Sequence, residues 1–335
     1  MLGSSTAPLA VAYDLALVDL DGVAYKGPEP IEHASPSLVA ARAMGMGLVF
    51  VTNNASREPG SVSDQLTRLG VPSEPDDVMT AAQAAASVLA GRLPRGSRVL
   101  VVGGAGLLTA VRAVGMVVVE SADDHPDAVV QGFDPSVGWR QLAEATYAVQ
   151  RGAWFVASNL DMTLPNERGF APGNGSLVGV VRAATGVEPV NAGKPQPTLY
   201  QLAVARRGAT HPLVVGDRLD TDLGGAVAAG LPGLHVLTGV SSARDAVLAD
   251  PRERPTFLGA DLRSLLVTHT APTLEEGWWT CAGASARVQG DRLVLGRGAG
   301  TLDLVRAACA AAWSAVDAGT ALDPSTVPEL SVDDA

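Results

Sequence analysis

Two aspartates spaced by one residue, Asp19 and Asp21, stand at the end of the apolar run Leu15-Ala16-Leu17-Val18 and are followed by Gly22. A run of that length reads as a buried strand, and a glycine directly after it lets the backbone turn sharply. Strand pleating puts Asp19 and Asp21 on the same side. Two like charges at a buried strand end are tolerated when a cation or a shared proton sits between them, so the chemistry implied is metal-assisted. As a plain loop, the same Asp-x-Asp-Gly would meet water and cap the next helix. The rest of the chain decides between these readings.

Two more apolar runs end in polar clusters. Gly47-Leu48-Val49-Phe50-Val51 leads into Thr52-Asn53-Asn54-Ala55-Ser56, and Pro212-Leu213-Val214-Val215-Gly216 leads into Asp217, Asp220 and Asp222. An Ala-rich helical pattern from about residue 36 to 44 separates the first two runs. Strand, helix, strand begins a parallel sheet whose ligands bind outside the C-terminal strand ends, which brings Thr52 and Asn53 out beside Asp19. Hydroxyl, amide and backbone N–H groups at the start of a helix form a cradle for an oxyanion, and they also make an ordinary helix cap. Gly193-Lys194-Pro195 then precedes a helix that carries Pro197 in its first turn. Of the 24 Lys and Arg residues only Lys26 and Lys194 are lysines. A lysine kept in so arginine-rich a chain suits a place that needs a compact, movable point charge, as beside a phosphate.

The bulk properties narrow the class. A chain of 335 residues with 47% hydrophobic and 18% charged residues and a mean hydropathy of +0.20 is long enough for about two domains with their own cores. The net charge of -11 argues against nucleic-acid or anionic-membrane partners, which require clustered Lys and Arg. Residues 1–12 carry no basic residue ahead of an apolar core, and no apolar run is long enough to span a bilayer, so the chain reads as cytoplasmic. The two cysteines, Cys281 and Cys309, lie in the last fifth of the chain and hold no disulfide framework together.

Between about residues 80 and 188 a second set of alternating elements intervenes. Arg98–Val102 reads as a strand, Gly103–Gly106 as a tight turn, Leu107–Val114 as a helix, Met116–Val119 as a strand ending at Glu120, and Trp154–Ala157 as a later strand. Ser158–Asn174 comes next as a polar, Pro- and Gly-containing loop of a length that is usually functional. The first fold then resumes through the helix at about 197–206, the strands at 212–216 and 233–237, the Gly224-Gly225 helix start and a short helix near 261–266.

Taken together, Asp19/Asp21, Thr52/Asn53, Lys194 and Asp217/Asp220/Asp222 resemble the four ordered motifs of the haloacid-dehalogenase-type phosphatases. Asp-Gly-Val, Thr-Asn-Asn-Ala-Ser, Gly-Lys-Pro and Gly-Asp-Arg-Leu-x-Thr-Asp resemble the branch containing 4-nitrophenyl-, phosphoglycolate and glycerol-3-phosphate phosphatases. The resemblance spans about residues 12 to 268. It implies an α/β fold, with a Rossmann-like parallel-sheet core at 8–80 and 190–268 and an inserted α/β cap at 81–189. It also implies Mg²⁺ held by Asp19, the main-chain carbonyl of Asp21 and Asp217, with Asp222 and Asn54 in support.

In that setting the residue types fit an order of events. Ionised Asp19 attacks phosphorus in line and forms an acyl phosphate that water can open. Asp21 protonates the leaving alkoxide and later takes the proton of that water. Thr52, Asn53 and Lys194 bind the transferring phosphoryl group. By the same resemblance the cap stretch Asn159-Leu160-Asp161-Met162-Thr163-Leu164-Pro165 closes on the leaving group, with Asn159, Asp161 and Leu164 setting specificity. No Lys or Arg lies between Asn159 and Asn166 to meet a second anionic group, so a small polyol ester such as glycerol 3-phosphate fits best, ahead of phosphoglycolate or 4-nitrophenyl phosphate.

Two other readings explain less. Gly104-Ala105-Gly106 with Glu120 imitates a dinucleotide-binding turn of an NAD-dependent oxidoreductase, but Thr109 fills the third glycine position and the carboxylates are left unused. Cys281 and Arg287 have the spacing of a cysteine phosphatase loop, but residues 288–295 read as turn and strand rather than as the helix such a loop must enter. Beyond the resemblance, residues 272–320 read as a small ββα extension: strands at Trp278–Cys281 and Arg292–Leu295, a Gln289-Gly290-Asp291 turn, and a helix presenting Leu302, Val305, Cys309, Trp313 and Val316 on one face. So small a unit needs support. Trp278, Trp279 or Trp313 is expected to dock it on the main body or on a second subunit of a homo-oligomer. The Arg297–Gly300 turn weakly resembles the pyrophosphate turn of acetyl-CoA-dependent acyltransferases.

Overall fold

The protein is described by a computed structural model over residues 1–166 and 168–332. Two compact units emerge, one from Met1–Leu48, Leu69–Val71 and Arg207–Ala335, the other from Val49–Arg68 and Pro72–Arg206.

The first unit is built on parallel strands in the order Phe257–Gly259, Gly233–Val236, Pro212–Gly216, Leu15–Val18. Each is short, buried along its length and, His235 apart, apolar, as strands covered on both faces must be. Leu15–Val18 lies against Pro212–Val215 residue for residue, and the amide of Asp19 extends that ladder by donating to the Val215 carbonyl at 2.8 Å. Both polar strand ends therefore emerge at one level of the sheet. The strand Gly47–Thr52 starts in this unit, where the Gly47 amide donates to Asp14 O at 2.9 Å, and its chain continues into the other.

In the second unit Phe50–Thr52 pairs in parallel with Val78–Thr80. Beside this lies a five-stranded parallel sheet in the order Val190–Asn191, Trp154–Ala157, Ala128–Gln131, Arg98–Val102, Val117–Val119. Helices Trp139–Gln150 and Asn174–Thr185 pack their apolar stripes on it through Leu142, Ala145, Val149, Val178 and Val181, which join Leu100, Val129 and Phe155 in one core. The stretch expected as the loop Ser158–Asn174 contains an antiparallel hairpin, Thr163–Asn166 with Gly169–Pro172. Its prolines and glycines hide the strands, because Pro is tolerated on the edge strands that a two-stranded ribbon consists of.

The C-terminal extension departs from the expected ββα. Four antiparallel strands, Thr273–Glu275, Trp278–Cys281, Ala284–Gln289 and Arg292–Leu295, precede the helix Leu302–Asp317. The additional turns are two-residue hairpins at Glu276-Gly277 and Ala282-Gly283, all four residues having positive φ. That is the type I′ geometry which matches strand twist, and it makes Cys281 a buried strand terminus. The helix is also covered more widely than one stripe. Ala307 through Trp313 are all buried, whereas Val316 is exposed and Leu302 only half-buried. An Ala-rich helix lets neighbours approach on several sides: the sheet on one, and Leu219, Leu223, Ala246, Val247 and Leu258 of the main body in the same core. The docking residue is Trp313, whose Nε1–H donates to Ala246 O at 3.1 Å. At the helix N-terminus Thr301 Oγ1 accepts from Leu304 N–H, so the Arg297–Gly300 turn leads into an internally capped helix.

Candidate active site

Ligating oxygens of Asp19, Asp217 and Asp222 lie within 4.8 Å of one another in the first unit. Asp217 and Asp222 are fully buried, and Asp19 as a whole residue is half-buried at the strand end. Local structure forces them together. Gly216 allows Asp222 to fold back over the strand, since a Cβ there would sit 2.2 Å from Asp222 Cβ. A wide helical turn, Leu219–Leu223, carries Asp222 round, and its carboxylate accepts from the Arg218 amide at 3.2 Å. Asp217 is gripped between two glycines: a Cβ on Gly22 would fall 2.4 Å from its Oδ2 and one on Gly239 only 1.9 Å. Gly22 also needs its φ of +91°. Val240 N–H donates to Asp217 Oδ2 at 2.7 Å, Ser241 N–H donates to its carbonyl at 3.1 Å, and Thr238 Oγ1 ties in Gly22 O at 2.6 Å.

Three carboxylates converging out of water repel one another, and a small hard cation with oxygen ligands removes that cost. The donor set fits Mg²⁺. The Asp21 side chain is not part of the cluster; Asp21 is exposed, past the strand end. Asp220 points away in a forked pair with Arg218, at 3.0 and 2.7 Å. His235 is buried beneath Asp217, and burial lowers its pKa to about 4, so it is neutral at pH 7. Its Nε2 lies 3.2 Å from Asp217 O, an acceptor, which assigns the ring proton to Nε2.

The second unit gathers the phosphate-binding candidates. Lys194 is buried, with Nζ donating to Val51 O at 3.0 Å and its amide donating to Asn53 Oδ1 at 2.8 Å. Asn53 Nδ2 reaches both carboxylate oxygens of Asp161, at 3.2 and 3.1 Å. The Asn53 amide group is thus spent on positioning Lys194 and Asp161. Thr52 is buried and its Oγ1 accepts from Asn54 N–H, while Asn54 Oδ1 accepts from the amide and hydroxyl of Ser56. Asn159 Nδ2 donates to Asn53 O at 2.7 Å, and Leu164 is about one-third exposed on the hairpin.

Two elements escape sequence reasoning. The loop Thr238–Ser241, which holds Asp217, comes directly after a buried strand end just as the motif residues do, and that position is its available signal. Asn174, buried, donates to Asn159 O at 2.7 Å; placed after Gly173 at a helix start, it reads only as a cap residue.

Away from the site, burial lowers the pKa of His269, whose Nε2 lies 2.8 Å from Ser264 O and whose neighbour Arg306 further disfavours a charge. A folded-state pKa below the unfolded value means the unfolded chain binds the proton first as pH falls through the ordinary histidine range near 6.5. Stability is therefore expected to fall from about pH 7 downward. His269→Gln should flatten that slope in melting curves across pH 5–8, and an unchanged slope would count against the assignment.

Comparison with known proteins agrees with this architecture. Residues 16–117 match the model for haloacid dehalogenase-like hydrolases, and residues 191–265 match a second, HAD-hydrolase-like model. The chain is 48% identical over 314 residues to the D-glycerol 3-phosphate phosphatase of Mycobacterium tuberculosis, spanning 92% of this chain and 88% of that one. It is 36% identical to an acid sugar phosphatase of Staphylococcus aureus, across 76% of this chain and 97% of that one. A crystal structure of the M. tuberculosis glycerol phosphate phosphatase in complex with magnesium superposes with a TM-score of 0.86 at 47% identity, covering 92% of this chain and 93% of that chain. The 4-nitrophenylphosphatase of Thermotoga maritima superposes at 0.71 with 28% identity, covering 77% and 98%. With two parallel-sheet units, ordered motifs and relatives of this similarity, the chain belongs to the haloacid dehalogenase-like hydrolases.

Proposed function

We propose that this chain is a magnesium-dependent phosphomonoesterase that hydrolyses glycerol 3-phosphate to glycerol and phosphate through an aspartyl-phosphate on Asp19. The observation that carries the reading is the buried Asp19/Asp217/Asp222 cluster, taken with the breadth of the glycerol phosphate phosphatase match. A match spanning 92% of the chain reaches well into the C-terminal extension, whereas one spanning 76% need not. Asp19, Asp217 and the main-chain carbonyl of Asp21, with Asp222 alongside, would hold Mg²⁺, which when bound neutralises charge on nucleophile and phosphoryl oxygens. Asp19 attacks phosphorus, and the exposed Asp21 gives a proton to the leaving alkoxide and later takes one from water. Thr52 and Lys194 carry the phosphoryl oxygens. Asn53 fixes the Lys194 amide, with Asn54 ordering the turn after it.

Asp161 and Leu164 of the insert at 81–189, the cap of a core formed by 8–80 and 190–268, select the leaving group. Asp161 accepts hydrogen bonds from a polyol hydroxyl and repels a carboxylate, so glycerol 3-phosphate is favoured over phosphoglycolate. The net charge of -11 supports a small-molecule rather than a nucleic-acid partner, and the place of action we assign is the cytoplasm. Among the described residues no helix is long and apolar enough to cross a membrane.

A panel of glycerol, glycolate, triose, sugar and 4-nitrophenyl phosphates tests the substrate. We expect kcat/KM for glycerol 3-phosphate to exceed that for phosphoglycolate by at least about 100-fold, since sites built to hydrogen-bond a substrate hydroxyl reach about 10⁴- to 10⁵-fold against analogues that lack it. Equal or reversed values would contradict the role of Asp161. Lys194→Arg keeps the charge but not the shape. Its planar fork does not fit a buried space in which Nζ already donates to Val51 O, and a displacement of about 1 Å costs on the order of 100-fold in kcat. Kinetics near wild type would remove the geometric requirement for lysine.

A further inference from the structure

The loop that holds Asp217 is itself held by the C-terminal segment of the chain, and we propose that this segment is a strap that sets the metal affinity of the site, with Arg244 as its positioning residue. The inference rests on the reading of Asp217 as a metal ligand. Thr238–Ser241 belongs to no helix or strand, yet it supplies the two amides on Asp217, from Val240 to the carboxylate and from Ser241 to the carbonyl. Ser241 Oγ also accepts from Leu219 N–H at 3.1 Å, tying the loop to the turn that carries Asp222. What fixes a loop of this kind lies on its other side.

Ser242 caps the short helix Ala243–Val247 directly after the loop, its Oγ accepting from Asp245 N–H at 3.2 Å. From that helix Arg244 reaches across to the C-terminal segment: Nε donates to Val327 O at 2.9 Å and Nη2 to Pro324 O at 2.8 Å, with the Glu329 carboxylate 3.8 Å away. Two main-chain carbonyls on one guanidinium clamp the segment with a fork that no other side chain offers. Further along, Leu330 and Val332 pack on the core shared with Leu237 and line a cavity of about 380 Å³ with Thr238, Gly239 and Val240. The same helix accepts the Trp313 indole N–H at Ala246 O. The extension therefore braces the Asp217 loop twice, through the helix after it and through the tail beside it. Groups that orient a metal ligand from outside the ligand set typically change affinity by about 10- to 100-fold.

The test uses the full-length protein, Mg²⁺ alone as probe and thermal unfolding as readout, so that no turnover is involved. Wild-type melting temperature should rise with Mg²⁺, and fitting the rise to RT ln(1 + [Mg²⁺]/Kd) gives a Kd that serves as the midpoint. Arg244→Ala should move that midpoint about tenfold higher, Arg244→Lys should recover part of the shift, and the double variant Leu330→Ala/Val332→Ala should weaken Mg²⁺ in the same direction. A purely structural role would lower the metal-free melting temperature and leave the Mg²⁺ midpoint unchanged. That outcome, in a wild-type background that responds to Mg²⁺ and an Asp217→Asn variant that does not, overturns the strap and leaves the metal site standing. A wild-type protein indifferent to Mg²⁺ overturns both.

Discussion

Asp19→Asn is expected to lower turnover of glycerol 3-phosphate by at least about 10⁴-fold, because no other group in the site replaces an attacking carboxylate and loss of a nucleophile removes the covalent route entirely. The fold should survive. The Asp19 backbone amide keeps its bond to Val215 O, and an amide beside Asp217 and Asp222 relieves repulsion among the three clustered carboxylates. In metal-free buffer the variant should melt at or above the wild-type temperature, while its response to Mg²⁺ weakens. Melting and phosphate release measured on the same preparation, with mass spectrometry to exclude deamidation back to Asp, check both halves. Residual activity beyond a trace would mean that another group attacks phosphorus.

Trp313→Ala should produce the largest loss of stability outside the site. The indole is fully buried where the extension meets the main body, bonds Ala246 O, and lies under the Arg254 guanidinium at 5.3 Å. Large-to-small replacement in such a place costs about 3–5 kcal/mol, which for a unit of this size corresponds to a fall of about 10 °C in melting temperature. Trp313→Phe separates the contributions: it keeps most of the apolar volume and removes only the indole bond to Ala246 O, which still accepts from Ala249 N–H at 3.4 Å, so the loss should be about 0.5–1.5 kcal/mol. Removing the chain after Thr270 is more drastic, since it uncovers Leu219, Leu223, Ala246, Val247 and Leu258 together. A drop of under about 1 kcal/mol in Trp313→Ala would mean that the extension is held by something other than this helix.

The parts of the fold legible in the sequence are those with a local signature. Leu15–Val18, Gly47–Thr52 and Pro212–Gly216 are uninterrupted apolar runs that stop at Asp or Thr, so both the strand and its functional end can be read directly. Ala128–Gln131 and Val78–Thr80 are as buried in the structure, but only Ala128-Val129-Val130 and Val78-Met79 are apolar in them, runs too short to announce a strand. Trp313 stands out as a docking residue because a large aromatic on a helix stripe has to be covered. The full coverage of Ala307–Ala312 is not visible, because alanine carries no signal of which side is inside. The strands at Thr273–Glu275 and Ala284–Gln289 depend on positive φ at Glu276 and Ala282, which neither residue type advertises.

Within the site, the roles that depend on side-chain direction are the hardest to read. Spacing alone places Asp217, Asp220 and Asp222 together, and only the pair with Arg218 turns Asp220 away. Likewise the Thr-Asn pair offers Asn53 as a phosphate ligand, whereas its amide is occupied by Lys194 N–H and Asp161. Hydrogen bonds between residues more than a hundred positions apart leave no mark in local sequence.

Phosphorylation of Asp19 during turnover is tested most directly by trapping the acyl phosphate. Full-length enzyme turning over glycerol 3-phosphate with Mg²⁺ is quenched in acid, reduced with borohydride and mapped by mass spectrometry, since reduction converts an aspartyl-phosphate into homoserine. Homoserine is expected at position 19, dependent on substrate and absent without Mg²⁺. Homoserine at Asp21, Asp217 or Asp222 instead, or none under conditions where turnover continues, would contradict it.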